Sequence, residues 1–374
     1  MQWPFANNTK RYALVGERSR TLLAIQNQNR AGVTTVTPWG WADCSLAEAK
    51  SVHQVMANVA APKGTVALSL PLEQFEVLSL TINKVPREVV TKILPYHISK
   101  VFDEPLSLFI YDWQVVKELK DSLQLNVFLF PVAMFQDIRN TLNHYDLSPT
   151  SLEPDVFSAC AYLESGSRLQ ADEASMIALL WPQSISIAIY DKETLVLTRN
   201  VQLERPLQVH GSEVPSAADL EKRTDDQGLQ EPGSSSVPAD SLFDSEQDDL
   251  LADFLIAKKK EEEGASPSAA LGPDDQEFFT GLPEGPQARA TGDTWPEYLS
   301  HVALELMRTR DYFNSVVKGN QVKTVFVGGA EDAWQPLSLE LTNSLDINIK
   351  HLMEPERATF GDPLFEAVSI GVLS

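Results

Sequence analysis

One pattern of short strands occurs twice in this chain, and this repetition limits its possible folds more than any other feature. Residues 11–39, RYALVGERSRTLLAIQNQNRAGVTTVTPW, predict three strands, at 12–15, 21–26 and 33–37. Residues 175–203, SMIALLWPQSISIAIYDKETLVLTRNVQL, predict three more strands, separated by polar turns. The sequence therefore predicts two similar halves, each of which opens with an antiparallel meander.

A separate module is predicted between the two meanders. The stretch from 64 to 147 predicts two strands, a helix, two strands and a second helix. Pro95 either kinks the first of these helices or marks its true start, because proline cannot supply an interior N–H. A helix at 45–58 is predicted before the module, and a helix beginning at Thr150 is predicted after it.

The end of the chain predicts alternating helices and strands. Residues 295–317, WPEYLSHVALELMRTRDYFNSVV, predict an amphipathic helix. In the following stretch, KTVFVGGAEDAWQPL, residues 325–327 predict a buried strand that ends at Gly328 and Gly329. Glycines at that position suit either a tight strand-to-helix turn or a loop whose backbone binds a nucleotide. Further along, a helix at 336–343, one strand and a last helix complete the chain.

The negative charge of the chain is concentrated in one segment. The formal net charge is -22, and residues 211–293 alone hold 20 acidic and 6 basic residues. Because nucleic-acid binding requires a basic surface that neutralises phosphates, this composition excludes a general DNA- or RNA-binding role.

Residues 211–293 are also rich in proline, glycine and serine. Such a composition cannot bury enough apolar surface to offset the entropy of ordering, so a disordered acidic insert is predicted. Residues 240–263, DSLFDSEQDDLLADFLIAKKKEEE, carry apolar side chains among acids, with lysines after them. Two interpretations stay open for this part of the insert, a plain linker and a short helix that binds a partner.

Signals for metal binding, nucleophilic catalysis or membrane insertion are missing from the sequence. The two cysteines, Cys44 and Cys160, lie far apart and predict buried thiols in a reducing compartment. The six histidines show no metal-ligand spacing, and no nucleophile elbow or phosphate loop is present. With no apolar run of about 18 residues either, the sequence predicts a soluble cytoplasmic chain without a metal site or catalytic residues.

Taken in order, several segments resemble one protein family. These segments are VALSLPLEQFEVLSLTINKVPREVVTKILPYHISKVFDEP, LSPTSLEPDVFSACAYL, ISIAIYDKETLVLTRNVQL, VKTVFVGGAED and EAVSIGVL. Together they resemble the PilM-type component of the type IV pilus inner-membrane platform, a member of the actin-like ATPase superfamily. They are also similar to the related GspL-type cytoplasmic domain of type II secretion.

The resemblance implies an α/β, ribonuclease H-like fold of two actin-like lobes, with a β-β-α-type subdomain inserted in the first lobe. The implied divisions are the start of the first lobe at 1–62, the inserted subdomain at 63–148, the first part of the second lobe with the crossover helix at 149–210, the acidic disordered insert at 211–293 and the remainder of the second lobe at 294–374.

The same resemblance implies partners and a location. Members bind the cytoplasmic N-terminal tail of a PilN-type inner-membrane protein in a groove beside the inserted subdomain, and positions 64–82 are expected to form part of that groove. A cytoplasmic motor ATPase as a second partner and self-association both stay open. The chain is expected at the cytoplasmic face of the inner membrane, held there by its partners.

In the actin-like superfamily, ATP lies between two hairpin turns that carry aspartates and glycines, which position the metal and the phosphates. Here the first turn keeps Gly16 but has Glu17 as its only carboxylate, and the second turn has Trp181, Pro182 and Gln183. The adenosine-side turn, formed by Gly328, Gly329 and Ala330, looks intact. These residues are therefore expected to be the remnant of a nucleotide site, with no catalytic residue and no required cofactor, while ATP binding without hydrolysis stays open.

Three alternatives to a pilus scaffold with a degenerate site remain at this point. The first is a GspL-like component of type II secretion, which would normally continue into a membrane helix. The second is a true actin-like ATPase, against which the two altered turns argue. The third is a sugar-kinase-like enzyme, which would need a catalytic aspartate in a sugar-facing loop, and no such aspartate is evident in the sequence.

Overall fold

The structure is a computed structural model that describes residues 10–28, 34–46, 48–56, 63–203, 295–329, 334–345 and 347–374. The predicted acidic insert at 211–293, the helix predicted inside it and Ala330 lie outside the described residues. Within the described residues, no helix is long and apolar enough to cross a membrane.

The first sheet contains the first predicted meander. Its five strands are β1 (Lys10–Gly16), β2 (Thr21–Gln28), β3 (Thr34–Ala42), β4 (Gly64–Leu70) and β8 (Leu147–Pro154), in the order β3-β2-β1-β4-β8. The first three strands pair antiparallel, as predicted, whereas β4 and β8 run parallel to β1. Successive side chains of β1, from Tyr12 to Val15, are all buried, so both faces of this sheet are covered.

The second sheet repeats this arrangement. Its strands are β9 (Ala174–Leu180), β10 (Ser184–Asp191), β11 (Thr194–Gln202), β12 (Val322–Gly328) and β13 (Asn348–His351), in the order β11-β10-β9-β12-β13. Again the first three strands form an antiparallel meander and the last two run parallel to the central strand. The repetition read from the sequence is thus a repetition of topology.

Seven helices are described around these sheets: α1 (Ala49–Met56), α2 (Arg87–Ile98), α3 (Val132–Asn143), α4 (Asp155–Ser165), α5 (Trp295–Tyr312), α6 (Trp334–Leu345) and α7 (Pro363–Val372). Helices α1 and α3 pack against each other and cover the first sheet at β3 and β8. Helices α5 and α6 cover one face of the second sheet, because their leucine and valine positions recur at helical spacing and bury against β9 and β10.

The inserted subdomain is a small sheet with one covering helix. Strands β5 (Glu76–Asn83), β6 (Phe109–Glu118) and β7 (Ser122–Pro131) pair antiparallel in the order β5-β7-β6. Helix α2 buries Val90, Leu94 and Ile98 against this sheet. The helix begins directly after Pro86 and continues through Pro95, so Pro95 does not mark its start.

Both limits of the inserted subdomain, predicted at 63 and 148, and the predicted start of one helix were wrong. Strand β4, placed in the inserted subdomain at 63–148, belongs to the first sheet. The helix predicted from Thr150 begins only at Asp155, because residues 147–154 form β8, the edge strand of that sheet. Pro149 and Pro154 signal such an edge strand, since proline cannot donate to a ladder and fits where no second neighbour is present.

The last helix was also assigned to the wrong lobe. Although α7 lies within 294–374, which was assigned to the second lobe, it contacts β1, β4 and β3 of the first sheet and packs along α4. Helix α4 in turn contacts β4 and β8 of the first sheet and β9 and β10 of the second. The pair α4 and α7 therefore lies between the two sheets, and one continuous core of apolar side chains joins them.

Candidate functional site

The turn between β1 and β2 is closed by its own side chains. The N–H of Glu17 donates to the carbonyl of Arg20 at 2.8 Å, and Ser19 Oγ donates to Glu17 Oε1 at 2.6 Å. Burial raises the pKa of Glu17, and the Ser19 hydroxyl opposes that change. A Cβ at Gly16 would lie 2.6 Å from Leu46 Cβ, so packing alone explains this glycine. The predicted carboxylate of the first turn is thus bonded to its own loop.

The turn between β9 and β10 places an indole ring between the lobes. Trp181 is only 2% exposed. Its backbone N–H donates to the carbonyl of Ser184 at 2.9 Å and so closes the turn. The ring lies edge-on to Phe365 of α7, with 5.3 Å between ring centroids. Its Nε1 donates to Asp155 Oδ2. A bulky apolar group therefore fills the second turn that was expected to flank a nucleotide.

Asp155 is the functional group in this region that sequence reasoning missed. It stands at the start of α4 and is 1% exposed. Its carboxylate accepts from the N–H of Leu72 at 3.1 Å and of Val156 at 2.8 Å, and from the Trp181 indole. Burial raises the pKa of Asp155 to about 7, although hydrogen bonds from Ser186, Trp181 and the two amides act in the opposite direction. One carboxyl group thus joins the first lobe to the second.

The perturbed pKa predicts a specific dependence of stability on pH. Since the pKa of about 7 in the folded chain exceeds the value of about 3.9 for an unfolded aspartate, the folded state holds a proton that the unfolded state releases. The stabilisation is complete below about pH 4 and is lost as the pH rises through 7. Relative to Asp155→Asn, which cannot titrate, the wild-type free energy of unfolding is expected to fall by about 2 kcal/mol between pH 5 and pH 8. Urea unfolding at each pH measures this difference, and a wild-type gain over the same range would contradict it.

Arg18 connects the two turns directly. Its Nη1 donates to Gln183 Oε1 of the β9–β10 turn at 2.8 Å, and its Nε pairs with Glu73 Oε1 at 2.8 Å. Because the Arg18 side chain is 46% exposed, this link fixes geometry more than it adds stability. Both turns that were expected to flank a nucleotide are therefore in contact through side chains of the chain itself.

A second arginine of the same turn is held by aromatic rings. The Arg20 guanidinium lies 4.5 Å from the ring centroid of Trp41 and 5.0 Å from that of Phe365. It also pairs with Asp362 at 3.0 Å, and the Asp362 side chain caps α7 by accepting from the N–H of Phe365. Arg20, Trp41 and Asp362 border a shallow cleft of about 240 Å³. Since its charge is already paired, Arg20 is not a free phosphate ligand.

The glycine turn after β12 is packed against the protein. Gly329 has φ +92°, and a Cβ there would lie 2.2 Å from the carbonyl oxygen of Leu180 and 2.9 Å from Leu364 Cδ2. A Cβ at Gly328 would meet the ends of Leu352 and Leu364 at 3.1 Å. Packing against β9 and α7 thus accounts for both glycines, while Ala330, the third predicted residue of this turn, lies outside the described residues.

This explanation predicts an order among glycine substitutions. Gly329→Ala is expected to cost about 2 kcal/mol, because it combines an unfavourable positive φ with a backbone clash. Gly361→Ala is the matched control, since Gly361 has φ +75° with nothing within 4 Å of a Cβ, and it should cost only about 1 kcal/mol. Thermal and urea unfolding of both variants measure the difference. Equal costs would show that the contact with Leu180 is unimportant.

Metal chemistry has no obvious ligands in the described part of the chain. No group of three or more histidine, cysteine, aspartate or glutamate side chains is placed there to hold an ion. Cys44 and Cys160 are both buried as free thiols. The groups of these turns that lie near α4 and α7 are aromatic rings, arginines and the buried carboxyl groups of Asp155 and Glu17.

Comparison with known proteins agrees with this topology. No family model matches the chain, and no curated protein matches it. Among solved structures, it is similar to a chain of a PilM-PilN type IV pilus biogenesis complex, with 13% identity, a TM-score of 0.58 and 96% of each chain covered. The chain has an actin-like fold. In this actin-like fold, β1 to β3 and β9 to β11 form the meanders of the two sheets, and α4 connects β8 of the first sheet to β9 of the second.

Two other solved structures have lower similarity to this actin-like chain. One is the cytoplasmic domain of EpsL, an inner-membrane component of the type II secretion system of Vibrio cholerae, with 10% identity, a TM-score of 0.37 and coverage of 52% of this chain and 71% of that one. The other is a Bacteroides thetaiotaomicron protein of unknown function with an actin-like ATPase fold, with 10% identity, a TM-score of 0.43 and 98% of each chain covered. Neither adds to the assignment of the fold.

Proposed function

We propose that this chain is a non-catalytic actin-like scaffold of a type IV pilus assembly platform, located at the cytoplasmic face of the inner membrane through its partners. The observation that carries the proposal is that the protein's own side chains fill the space between the two turns that were expected to flank a nucleotide. This space is called the closed cleft below. Trp181 fills the second turn, Arg18 bridges the two turns, and Glu17 is bonded within its own loop. The fold shared with a chain of a PilM-PilN complex supports the choice of a pilus platform.

A closed cleft argues against turnover for a simple physical reason. Hydrolysis of ATP needs a bound Mg²⁺, oriented phosphates and a positioned water, all in a space that opens to admit the nucleotide. Here Asp155, whose carboxyl bonds to groups of both lobes, is buried and already accepts three N–H groups. Gly16, Glu17, Gly328 and Gly329 are then the structural remnant of a nucleotide site, and no cofactor is required.

The proposed partner is the cytoplasmic N-terminal tail of a PilN-type inner-membrane protein. Within the stretch 64–82, β4 is interior to the first sheet and almost fully buried, so it offers little surface. Strand β5 is instead an edge strand of the inserted subdomain and exposes alternate side chains, including Ser79 and Thr81. An extended tail could add to such an edge through backbone hydrogen bonds, which makes β5 the favoured part of the groove.

Calorimetric titration of the full chain tests both parts of the proposal. The ligands are Mg·ATP and a synthetic peptide with the cytoplasmic N-terminal sequence of the PilN-type protein of the same organism, and a scrambled peptide is the control. Binding of the peptide alone is the expected result. Saturable ATP binding would contradict the proposal that the cleft is closed to nucleotides. If both peptides bound equally, or neither bound, the proposed partner would be wrong.

A further inference from the structure

A buried polar seam separates the inserted subdomain from the second lobe. It is formed by β6, by β11 and by the short 3-10 helix Leu72–Gln74, since β11 contacts both of the other elements. Here the term seam refers to the inward-facing polar side chains of these three elements. Whereas the three cores of the molecule are apolar, the seam consists of amide, hydroxyl and carboxyl groups.

Strand register shows which side chains face the seam. Asn200 of β11 lies directly opposite Ser186 of β10, and Ser186 Oγ accepts from the N–H of Leu72 at 3.3 Å. Since side chains alternate along a strand, Asn200 and Thr198 both point toward the 3-10 helix. The opposite face of β11 carries Arg199, which pairs with Glu305 of α5.

The inserted sheet contributes the other wall. Gln114 of β6 and Ser79 of β5 both lie opposite Asn126 of β7, and Ser79 Oγ donates to Asn126 Oδ1 at 2.9 Å. This row lies on the face away from α2, because the residues on the α2 side, such as Trp113 and Val115, pack in the apolar core of the subdomain. Gln114 therefore points toward the seam.

Several oxygens of the seam are buried without a hydrogen-bond partner among the described residues: Glu73 Oε2, Gln74 Oε1, Gln114 Oε1, Thr198 Oγ1 and Asn200 Oδ1. The Glu73 side chain is 2% exposed, and only its other oxygen is paired, with Arg18. Four of these oxygens belong to carboxyl or amide groups and can only accept, whereas the Thr198 hydroxyl could also donate one hydrogen bond. One donor cannot satisfy the other four. A buried polar group without a partner carries a desolvation cost, which hydration removes.

We infer that this seam is the plane along which the inserted subdomain separates from the second lobe. Opening the apolar cores exposes hydrocarbon to water, whereas opening the seam hydrates acceptors that lack donors. Among the described residues, a hydrogen bond that spans the seam between β6 and the second lobe is that of the exposed Lys117 Nζ, which donates to the carbonyl of Val317 at 3.3 Å. Separation would uncover Gln114 and the residues beside it on β6, and so change the surface available to partners. This inference goes beyond the proposed function and does not depend on it.

Hydrogen–deuterium exchange of the full chain, followed by mass spectrometry, tests the inference. Wild-type amides of residues 72–74, β6 and β11 are expected to exchange through a common opening that is faster than global unfolding. Thr198→Val with Asn200→Leu replaces two acceptors by apolar groups of similar size, which favours the closed seam. That double variant is expected to slow exchange at these amides about tenfold, as a gain of about 1.4 kcal/mol in the closing free energy would.

Two further variants separate the seam from general stability. Ser369→Ala removes a buried hydroxyl of α7 that lacks a partner among the described residues but lies outside the seam, so it should leave seam exchange unchanged. Lys117→Ala, an exposed position, should speed exchange at the same amides and provides a readout if the double variant does not fold. The inference would be overturned if the wild-type seam amides exchanged only through global unfolding. It would also be overturned if Ser369→Ala and the double variant changed seam exchange equally.

Discussion

Replacing Trp181 with alanine is expected to lower the free energy of unfolding by about 4 kcal/mol. The substitution removes a ring that is 2% exposed and that contacts Phe365, and it leaves a cavity between the lobes. It also removes the indole donor of Asp155, whose carboxyl stays buried. Urea unfolding followed by circular dichroism measures the loss.

Two controls separate the contributions of the Trp181 ring. Trp181→Phe keeps most of the apolar volume but loses the N–H, so it should cost about 1–2 kcal/mol. Trp39→Ala removes the same residue type from a site that is 41% exposed, and it should cost less than about 1 kcal/mol. A Trp181→Ala cost no larger than that of Trp39→Ala would show that the ring does not hold the lobes together.

Gly371→Ala is expected to destabilise the fold by about 3 kcal/mol, despite placing a better helix former in a helix. A Cβ at Gly371 would lie 1.8 Å from the carbonyl oxygen of Ser158, so α7 and α4 would have to move apart. Because alanine within a helix is normally about 1 kcal/mol more favourable than glycine, the sign of the change is itself diagnostic. Thermal unfolding together with urea unfolding gives the measurement.

Ser369→Ala is the control for the crossing of α4 and α7. It lies two residues from Gly371 in the same helix, is fully buried, and its hydroxyl has no hydrogen-bond partner among the described residues. Losing that hydroxyl should be neutral or stabilising. A stability gain for Gly371→Ala, or equal effects of the two substitutions, would mean that the helices tolerate a side chain at the crossing.

Local patterns were enough to predict most elements of the fold. The two meanders and the inserted strands carry alternating or β-branched runs between turn residues, so their hydrogen bonds are local and their signals lie within a few residues. The strand at 147–154 was missed because its pairing with β4 is parallel and joins residues that are about 80 positions apart. Its two prolines are the local signal in the sequence for an edge strand.

The candidate site could be predicted only in part for the same reason. The sequence identified the two altered turns and the glycine turn, since each is a contiguous motif. It did not predict that Arg18 reaches Gln183, nor that Asp155 accepts from Trp181, because these partners are separated by 165 and 26 residues. Nothing in the sequence around Asp155 distinguishes it from an ordinary helix-starting acid.

The sequence by itself determined the repeated strand pattern, the concentration of acid in one segment and the absence of phosphate-binding motifs, since these depend only on residue types and short spacings. Tertiary structure alone decided that α7 returns to the first sheet, that Gly371 and Gly329 must be glycine, and that the buried acceptors gather in one seam. The physical reason is that close packing and burial depend on which distant segments meet, and a side chain's desolvation cost is fixed only when its neighbours are known.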